Sequence, residues 1–274
     1  MLSYEEYYNH CKSVYKGDCA GALPLEDLTI HTYLPEDESF EFPNDYKDKI
    51  TNIHNHCKKK INTKQGLFDP EHENIIKVND FYGCQDVLEL GNFFAKYIES
   101  NVYQCYSMVE SVLIYESLPN KIERSSWIWH YDDNVHHQLK LMLYLNDVSE
   151  NTGAFEVLLN PHSNKGLKMK SSKISPTHKS SQVYSGSRVP PQDIESFGEQ
   201  GWLPHKIVGP AGTFCLFDPN SIHRATTPKE EPHRLCAIYN FRPFHKNLAQ
   251  KIHRDFTKSW STVGDVKSFS TDIS

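Results

Sequence analysis

The stretch Trp129-His130-Tyr131-Asp132 decides how the rest of the chain is interpreted. It ends a run, 126–132, whose aromatic and β-branched side chains are typical of a β-strand. Residues i and i+2 of a strand project from the same face, so His130 and Asp132 are predicted to point together. An imidazole and a carboxylate side by side on a rigid element are two ligands of a metal site.

A third ligand is needed, and His223, at the end of the segment 217–223, is the best candidate. Two histidines and one carboxylate on one face of an ion form the ligand set of the non-haem Fe(II) oxygenases. Asp133 is the rival carboxylate, but the period of a strand places it on the face opposite His130. The sequence therefore predicts a metal centre made of His130, Asp132 and His223.

Arg234 follows His223 and opens the run 234–241, whose alternating pattern predicts another strand. On that strand Arg234 shares a face with mostly apolar side chains. A buried arginine is costly unless a carboxylate or phosphate pairs with it. Arg234 is thus predicted to bind an anionic group inside the fold.

These elements, in this order, resemble the 2-oxoglutarate-dependent Fe(II) oxygenases. The finer resemblance is to the phytanoyl-CoA dioxygenase superfamily, and it covers about residues 105–243. The stretch 143–158, which begins Leu143-Tyr144-Leu145-Asn146, is similar to that group's strand and glycine turn. The segment 161–163 that follows is similar to its Pro-Gly-Ser-His segment.

The resemblance implies that Fe(II) binds to His130, Asp132 and His223. It also implies that 2-oxoglutarate chelates the iron, while its far carboxylate pairs with Arg234. O2 is then the oxidant, ascorbate is an expected stimulant, and succinate and CO2 are released as a C–H bond is hydroxylated. Because Asp132 is present where related halogenases have glycine or alanine, hydroxylation or another oxidation is favoured over halogenation.

One position departs from the family pattern. The residue two after the distal histidine is often serine, and here it is Ala225. A hydroxyl contact to the cosubstrate is therefore missing. Tyr144 and Lys140, on the predicted inward face of the strand 138–146, are the candidates to compensate for it.

The pattern of 138–146 also predicts the fold class. One face carries only leucines and is expected to pack on helices, whereas the other is mixed and suits the mouth of a barrel. Several short strands with turns between them predict a mainly β (α+β) protein: a double-stranded β-helix, or cupin-like jelly-roll, buttressed by N-terminal helices. We expect one oxygenase domain over 1–274: mostly helical support (1–105), the jelly-roll core (106–243) with an insertion (160–204), and a C-terminal extension (244–274).

The bulk composition excludes several classes of function. A net charge of −6 and a pI near 6.2 argue against nucleic-acid binding. The seven cysteines contain no C-x-x-C pair, which is typical of a reducing compartment. The N-terminal residues lack a signal-peptide pattern and no apolar run is long enough to cross a membrane, so we expect a cytoplasmic protein without a membrane partner. The oligomeric state is left open.

The segment 157–192 is basic and contains no acidic residue. Its cationic residues are Lys165, Lys168, Lys170, Lys173, Lys179 and Arg188. By the resemblance this segment borders the barrel mouth, which favours a small substrate that carries a carboxylate or a phosphate. A solvated basic loop that binds nothing explains the composition equally well.

Three alternatives to a small-molecule hydroxylase remain. A prolyl-hydroxylase-like oxygenase would act on a peptidyl side chain with the same centre. A cupin-like metal isomerase or lectin would share the barrel and the metal, but it would not need a buried Arg234. A binding module with a vestigial site would not turn over.

Overall fold

The structure is a computed structural model that describes residues 4–17, 28–63, 67–68, 75–78, 83–119, 125–134, 137–170, 187–245 and 260–261. In these ranges the α-helices are α1 (Tyr4–Ser13), α2 (Tyr46–Asn62), α3 (Gln85–Ile98) and α4 (Pro191–Glu199). The strands are β1 (Ile30–Tyr33), β2 (Leu67–Phe68), β3 (Ile75–Val78), β4 (Ser107–Ser117), β5 (Leu139–Tyr144), β6 (Phe155–Asn160), β7 (Lys165–Gly166), β8 (Leu203–Ile207), β9 (Phe214–Phe217), β10 (His223–Ala225), β11 (Leu235–Pro243) and β12 (Trp260–Ser261).

The strands form two antiparallel sheets. The large sheet has the order β1-β9-β5-β11-β4-β3-β2, and β12 also pairs with β4. The small sheet has the order β10-β6-β7, and β8 also pairs with β6. Because chain neighbours such as β5 and β6 lie in different sheets, the chain crosses repeatedly between them. This is the predicted jelly-roll, and the fold prediction is confirmed.

The leucine face of β5 packs on helices, as predicted. Leu141 and Leu143 are fully buried in one cluster with Ile53 of α2 and Leu90 and Phe94 of α3. Fully burying each such side chain contributes about 1.5–3 kcal/mol before the loss of conformational entropy is counted. The helices therefore cover the outer face of the large sheet and leave its inner face for the site.

Helix α3 has an amphipathic pattern and a defined end. Its last residue, Ile98, leads directly into a π-helical turn over Glu99–Tyr103. Gln104 then adopts a left-handed conformation with φ of 52°, and its N–H donates to the carbonyl of Glu99. A residue in this conformation satisfies end carbonyls and redirects the chain, here toward β4.

The N-terminal part of the chain does more than buttress the sheet with helices. Strand β1 pairs with β9, and β3 pairs with β4, so both extend the large sheet at its two sides. The strand pattern in these short segments is weak, since edge strands of two to four residues carry little periodicity.

The predicted strand over 126–132 is wrong. A 3-10 turn occupies Ser125–Trp127, and beyond it His130 makes only isolated bridges. Trp127 packs between the two sheets, whereas Trp129 packs on the outer side of the small sheet. Aromatic composition reports burial on a pleated surface rather than a backbone preference, so it cannot separate these two cases.

The insertion 160–204 is partly described. It contains β7, α4 and the start of β8, while residues 171–186 lie outside the described residues. Residues 262–274, the last part of the predicted C-terminal extension (244–274), also lie outside the described residues, whereas β12 of that extension is described. Among the described residues, no helix has both the length and the apolar content that crossing a membrane requires.

Candidate metal centre

His130 and His223 are brought together by the backbone. The N–H of His130 donates to the carbonyl of His223 at 3.0 Å, and the N–H of His223 donates back at 2.8 Å. The N–H of Asp132 donates to the carbonyl of Pro219 at 2.9 Å. The chain around 130–132 is thus locally extended without forming a regular strand, and the predicted alternation survives: Trp129 and Tyr131 lie on the side away from the site.

The three side chains converge as the sequence predicts. One ligand atom from each of His130, Asp132 and His223 lies within 4.8 Å of the others. Nε2 of His130 is 3.6 Å from Oδ1 of Asp132, and Nε2 of His223 is 3.9 Å from Oδ2. Asp133 is not part of this group and has a φ of 47°, a turn that ends the extended segment.

Both imidazoles are oriented by backbone carbonyls. Nδ1 of His130 lies 2.8 Å from the carbonyl oxygen of Ile128, and Nδ1 of His223 lies 2.7 Å from that of Ser221. A carbonyl only accepts, so Nδ1 carries the proton and each Nε2 presents a lone pair to the site. Metal-binding histidines are commonly oriented in this way. The residues therefore fit a divalent metal of the borderline type, such as iron.

The electrostatics favour the forms that bind a metal. Burial, helped by the neighbouring His223, lowers the pKa of His130 to about 3. Burial also lowers the pKa of His223. For Asp132 burial opposes ionisation, but Lys140 and the two histidines outweigh it and hold the pKa below its usual range. At neutral pH the group has two neutral imidazoles and one carboxylate, so metal binding requires no proton release.

Lys140 lies beside the metal group. Its ammonium donates to Oδ2 of Asp132 at 2.6 Å. The sequence places this residue on the inward face of β5 as a candidate contact to the cosubstrate. The structure agrees on the face and shows Asp132 as its partner; the contact to a cosubstrate stays a prediction.

Arg234 is fully buried, with an exposed fraction of 0%. Its guanidinium donates to the hydroxyl of Ser117 at 3.0 Å and to that of Tyr115 at 3.3 Å, and it approaches Sδ of Met142 at 3.6 Å. Nε is buried without a hydrogen-bond partner in the described part of the chain. Neutral hydroxyls and a thioether do not compensate a desolvated positive charge, so this guanidinium is suited to an anionic ligand.

A cavity of about 210 Å³ joins these two features. His130, Asp132 and His223 line it, and so do Tyr115 and Met142, which contact the guanidinium of Arg234. The rest of the lining is mostly apolar: Ile75, Leu113, Trp127, Phe155, Phe217, Ala225 and Ile238, with Lys77, Ser126 and Lys140 as polar members. The site is thus a largely apolar chamber between the sheets, with a metal-binding group in its wall.

Comparison with solved structures places this fold among known enzymes. The S. alaskensis enzyme EctD with bound Fe has a TM-score of 0.53 and 14% identity, over 80% of this chain and 74% of that one. The non-haem alpha-ketoglutarate-dependent carbocyclase SnoK has a TM-score of 0.53 and 10% identity, over 85% of this chain and 93% of that one. The epimerase SnoN was solved with Fe3+, alpha-ketoglutarate and a nogalamycin compound. It has a TM-score of 0.50 and 10% identity, over 87% of this chain and 84% of that one.

The chain shares its cupin-type jelly-roll fold with these three proteins. At 10–14% identity the likeness concerns the fold alone. No family profile matches the chain, and no curated protein matches it.

Sequence reasoning missed the residues that hold Arg234. Ser117 and Tyr115 lie two apart on β4, on one face, and the N–H of Ser117 donates to the carbonyl of Arg234. The alternating pattern of β4 indicates that Tyr115 and Ser117 share a face, but it does not indicate that β4 pairs with β11 and so brings them to Arg234. Ala225 lacks the hydroxyl of the family pattern, whereas the hydroxyls of Ser117 and Tyr115 contact Arg234.

Tyr144 faces inward, as predicted, but its hydroxyl is already engaged. It donates to the carbonyl of Ile207 at 2.8 Å and accepts the N–H of Phe155 at 3.1 Å. These bonds tie β5 to the small sheet. A direct role of Tyr144 in binding the cosubstrate stays a prediction, since its structural role is sufficient to explain its position.

The basic segment is less uniform than its composition indicates. Lys168 makes an ion pair with Asp218 at 2.6 Å, so part of the positive charge of the segment is neutralised. Lys165 and Lys170 are exposed, and Lys173 and Lys179 lie outside the described residues. None of the described residues of this segment is among those that line the cavity.

Proposed function

We propose that the protein is an Fe(II)- and 2-oxoglutarate-dependent dioxygenase that oxidises a C–H bond of a small anionic metabolite, with release of succinate and CO2. One observation carries the proposal. A single cavity joins a His-Asp-His group, whose two histidines are buried, to the residues that contact Arg234, a fully buried cation without an acidic partner in the described chain. A dicarboxylate cosubstrate that binds a metal at one end and a cation at the other satisfies both.

The metal ligands are His130, Asp132 and His223 in this proposal. Three protein ligands leave positions open for a cosubstrate and O2, as in the non-haem Fe(II) oxygenases. When bound, Fe(II) supplies the electrons for O2 activation coupled to oxidation of the cosubstrate. The two backbone carbonyls behind the imidazoles keep each Nε2 aimed at the metal.

Arg234 supplies the second anchor. The far carboxylate of 2-oxoglutarate would pair with the guanidinium, and the unpartnered Nε provides a donor in addition to those already engaged. The planar fork of arginine suits bidentate binding of a carboxylate better than an ammonium does. The Ser117 and Tyr115 hydroxyls hold the guanidinium in place in the absence of that ligand.

The apolar lining excludes water from the reacting groups. Phe155, Phe217 and Trp127 are almost fully buried and surround the metal-binding group. A dry wall protects reactive species from side reactions and strengthens the electrostatic contacts inside the chamber. This supports oxidative chemistry rather than simple binding.

Hydroxylation and membership of the phytanoyl-CoA dioxygenase-like group are the finer parts of the proposal. The presence of Asp132 and the ordered segments of the sequence support them. SnoK is a carbocyclase and SnoN an epimerase, so one fold serves several outcomes. The fold alone therefore does not select the outcome, which depends on the residues and the substrate at the site.

The test is Fe(II)-dependent release of succinate from 2-oxoglutarate, measured alone and with a panel of small carboxylates and phosphates. Asp132→Ala should abolish it, since the carboxylate is the only anionic ligand of the group. Asp133→Asn is the matched control, because asparagine tolerates the positive φ at that position and Asp133 is outside the group. Full activity in Asp132→Ala would refute the site, and activity without Fe(II) would refute the chemistry.

A further inference from the structure

Arg188 lies beside the metal group and has no role in the mechanism above. It belongs to the insertion, 58 residues after His130 in the chain, yet the two form an isolated antiparallel bridge. The N–H of Tyr131 donates to the carbonyl of Ser187 at 3.1 Å, and the N–H of Val189 donates to that of Trp129 at 2.9 Å. These two hydrogen bonds lie on either side of His130 and Arg188, so the two residues form a non-hydrogen-bonded pair.

Such a non-hydrogen-bonded pair brings its two residues especially close, with Cα atoms about 4.5 Å apart. Directly opposed residues also project from the same face. His130 faces the cavity, so the side chain of Arg188 leaves the backbone toward the same side. The packing of Val189 agrees, since it joins Trp129 in the cluster on the opposite side of the segment.

The bridge between His130 and His223 continues this row. His223, His130 and Arg188 are neighbours across three segments and lie on one face, two metal ligands followed by a cation. Arg188 is half-buried and does not line the cavity itself, but its charge interacts with His130 and Asp132, so the residue lies close to the chamber. A substrate that approaches the metal from that side would meet the cation.

The guanidinium of Arg188 makes no hydrogen bond and no ion pair within the part of the chain that the structure describes. Burial lowers its pKa, and the Asp132 carboxylate opposes that shift, so its charge acts on the metal group from outside hydrogen-bond range. Lys168, another cation of the basic segment, is already paired with Asp218. Among the described residues, Arg188 is thus a cation without a hydrogen-bonded or ion-paired partner at the edge of the proposed site.

We propose that Arg188 is a substrate-specificity residue that binds a carboxylate or phosphate group of the substrate beside His130. The inference rests on the proposed function for its biological meaning, and it narrows the anionic-substrate proposal from a diffuse basic segment to one guanidinium. Arginine binds either group bidentately, so carboxylate and phosphate share this chemistry.

Two probe anions, methylphosphonate and acetate, separate the two classes of substrate. Each is titrated into the apo-protein and into protein loaded with Mn(II) and 2-oxoglutarate, and binding is followed by the NMR line width of the probe. Arg188→Gln should weaken the preferred anion about tenfold or more, the loss expected for charge-assisted hydrogen bonds. Arg188→Lys, which keeps the charge without the fork, should lose less. Lys165→Gln, an exposed cation of the same insertion, should change nothing.

Paramagnetic broadening of the bound anion in the Mn(II) form places it beside the metal, and this broadening should disappear in Arg188→Gln. Equal anion affinity in wild type and Arg188→Gln, in both forms, would overturn the inference. Failure of Mn(II) to bind would overturn the proposed function instead, while an Arg188-dependent affinity in the apo-protein would still support the anion site. The two failures are therefore distinguishable.

Discussion

Replacing Arg234 by methionine tests the cosubstrate site most directly. Methionine keeps an unbranched side chain of similar reach but removes the charge. The wild-type guanidinium contacts two hydroxyls, at 3.0 and 3.3 Å, and a thioether at 3.6 Å, with no anion among the described residues. We expect opposite consequences for the apo-protein and for the complex with 2-oxoglutarate.

In the apo-protein the substitution removes two hydrogen bonds to a charged donor, each worth about 1.5–3 kcal/mol. It also removes the several kcal/mol that desolvating an unpaired charge costs. These terms oppose each other, so the free energy of unfolding should change by no more than about 2 kcal/mol in either direction. In the complex the bound carboxylate loses its partner, which costs about 2–5 kcal/mol, or about 30-fold to several-thousand-fold in affinity.

The assay combines calorimetric titration of 2-oxoglutarate into Mn(II)-loaded protein with thermal unfolding. At 100 times its Kd, 2-oxoglutarate should stabilise the wild type by about 2.7 kcal/mol, and the same concentration should stabilise the variant by about 0.9 kcal/mol or less. Arg242→Met is the control, since Arg242 lies in β11, the strand that Arg234 directly precedes, but pairs with Glu110 at 2.7 Å. An unchanged 2-oxoglutarate affinity in Arg234→Met would refute this reasoning.

Two further predictions concern the metal group and the backbone. Lys140→Met should tighten Mn(II) binding about tenfold, because the ammonium of Lys140 competes for Oδ2 of Asp132 and repels a divalent cation. Equal or weaker Mn(II) binding by the variant in an EPR titration would contradict this prediction. Gly212→Ala should destabilise the protein by about 1–2 kcal/mol in chemical denaturation, since φ is +92° and a Cβ would lie 3.1 Å from the ring of Tyr46. Gly198→Ala, in open space on α4, should instead be neutral or stabilising.

The short-range patterns of the sequence were sufficient for much of the fold. The alternation of 138–146 predicts both faces of β5, since a period of two assigns each side chain to one side whatever it packs against. In helix α3 the buried Leu90, Phe94 and Ile98 recur at the helical period of 3.6, which is likewise a local pattern of the sequence. The pairing of His130 with Asp132 also depends only on local alternation, and it persists although the regular strand predicted for them does not form.

Contacts between segments that are distant in the chain were decided only by the tertiary structure. Ser117 and Tyr115 reach Arg234 because β4 pairs with β11, and Lys140 meets Asp132 because β5 passes beneath the extended segment. Arg188 projects to the same side as His130 because one bridge aligns the two residues. Sequence periodicity carries no information on which strands pair or in what register. Those choices follow from burial summed over both sheets, which is a property of the whole packed chain.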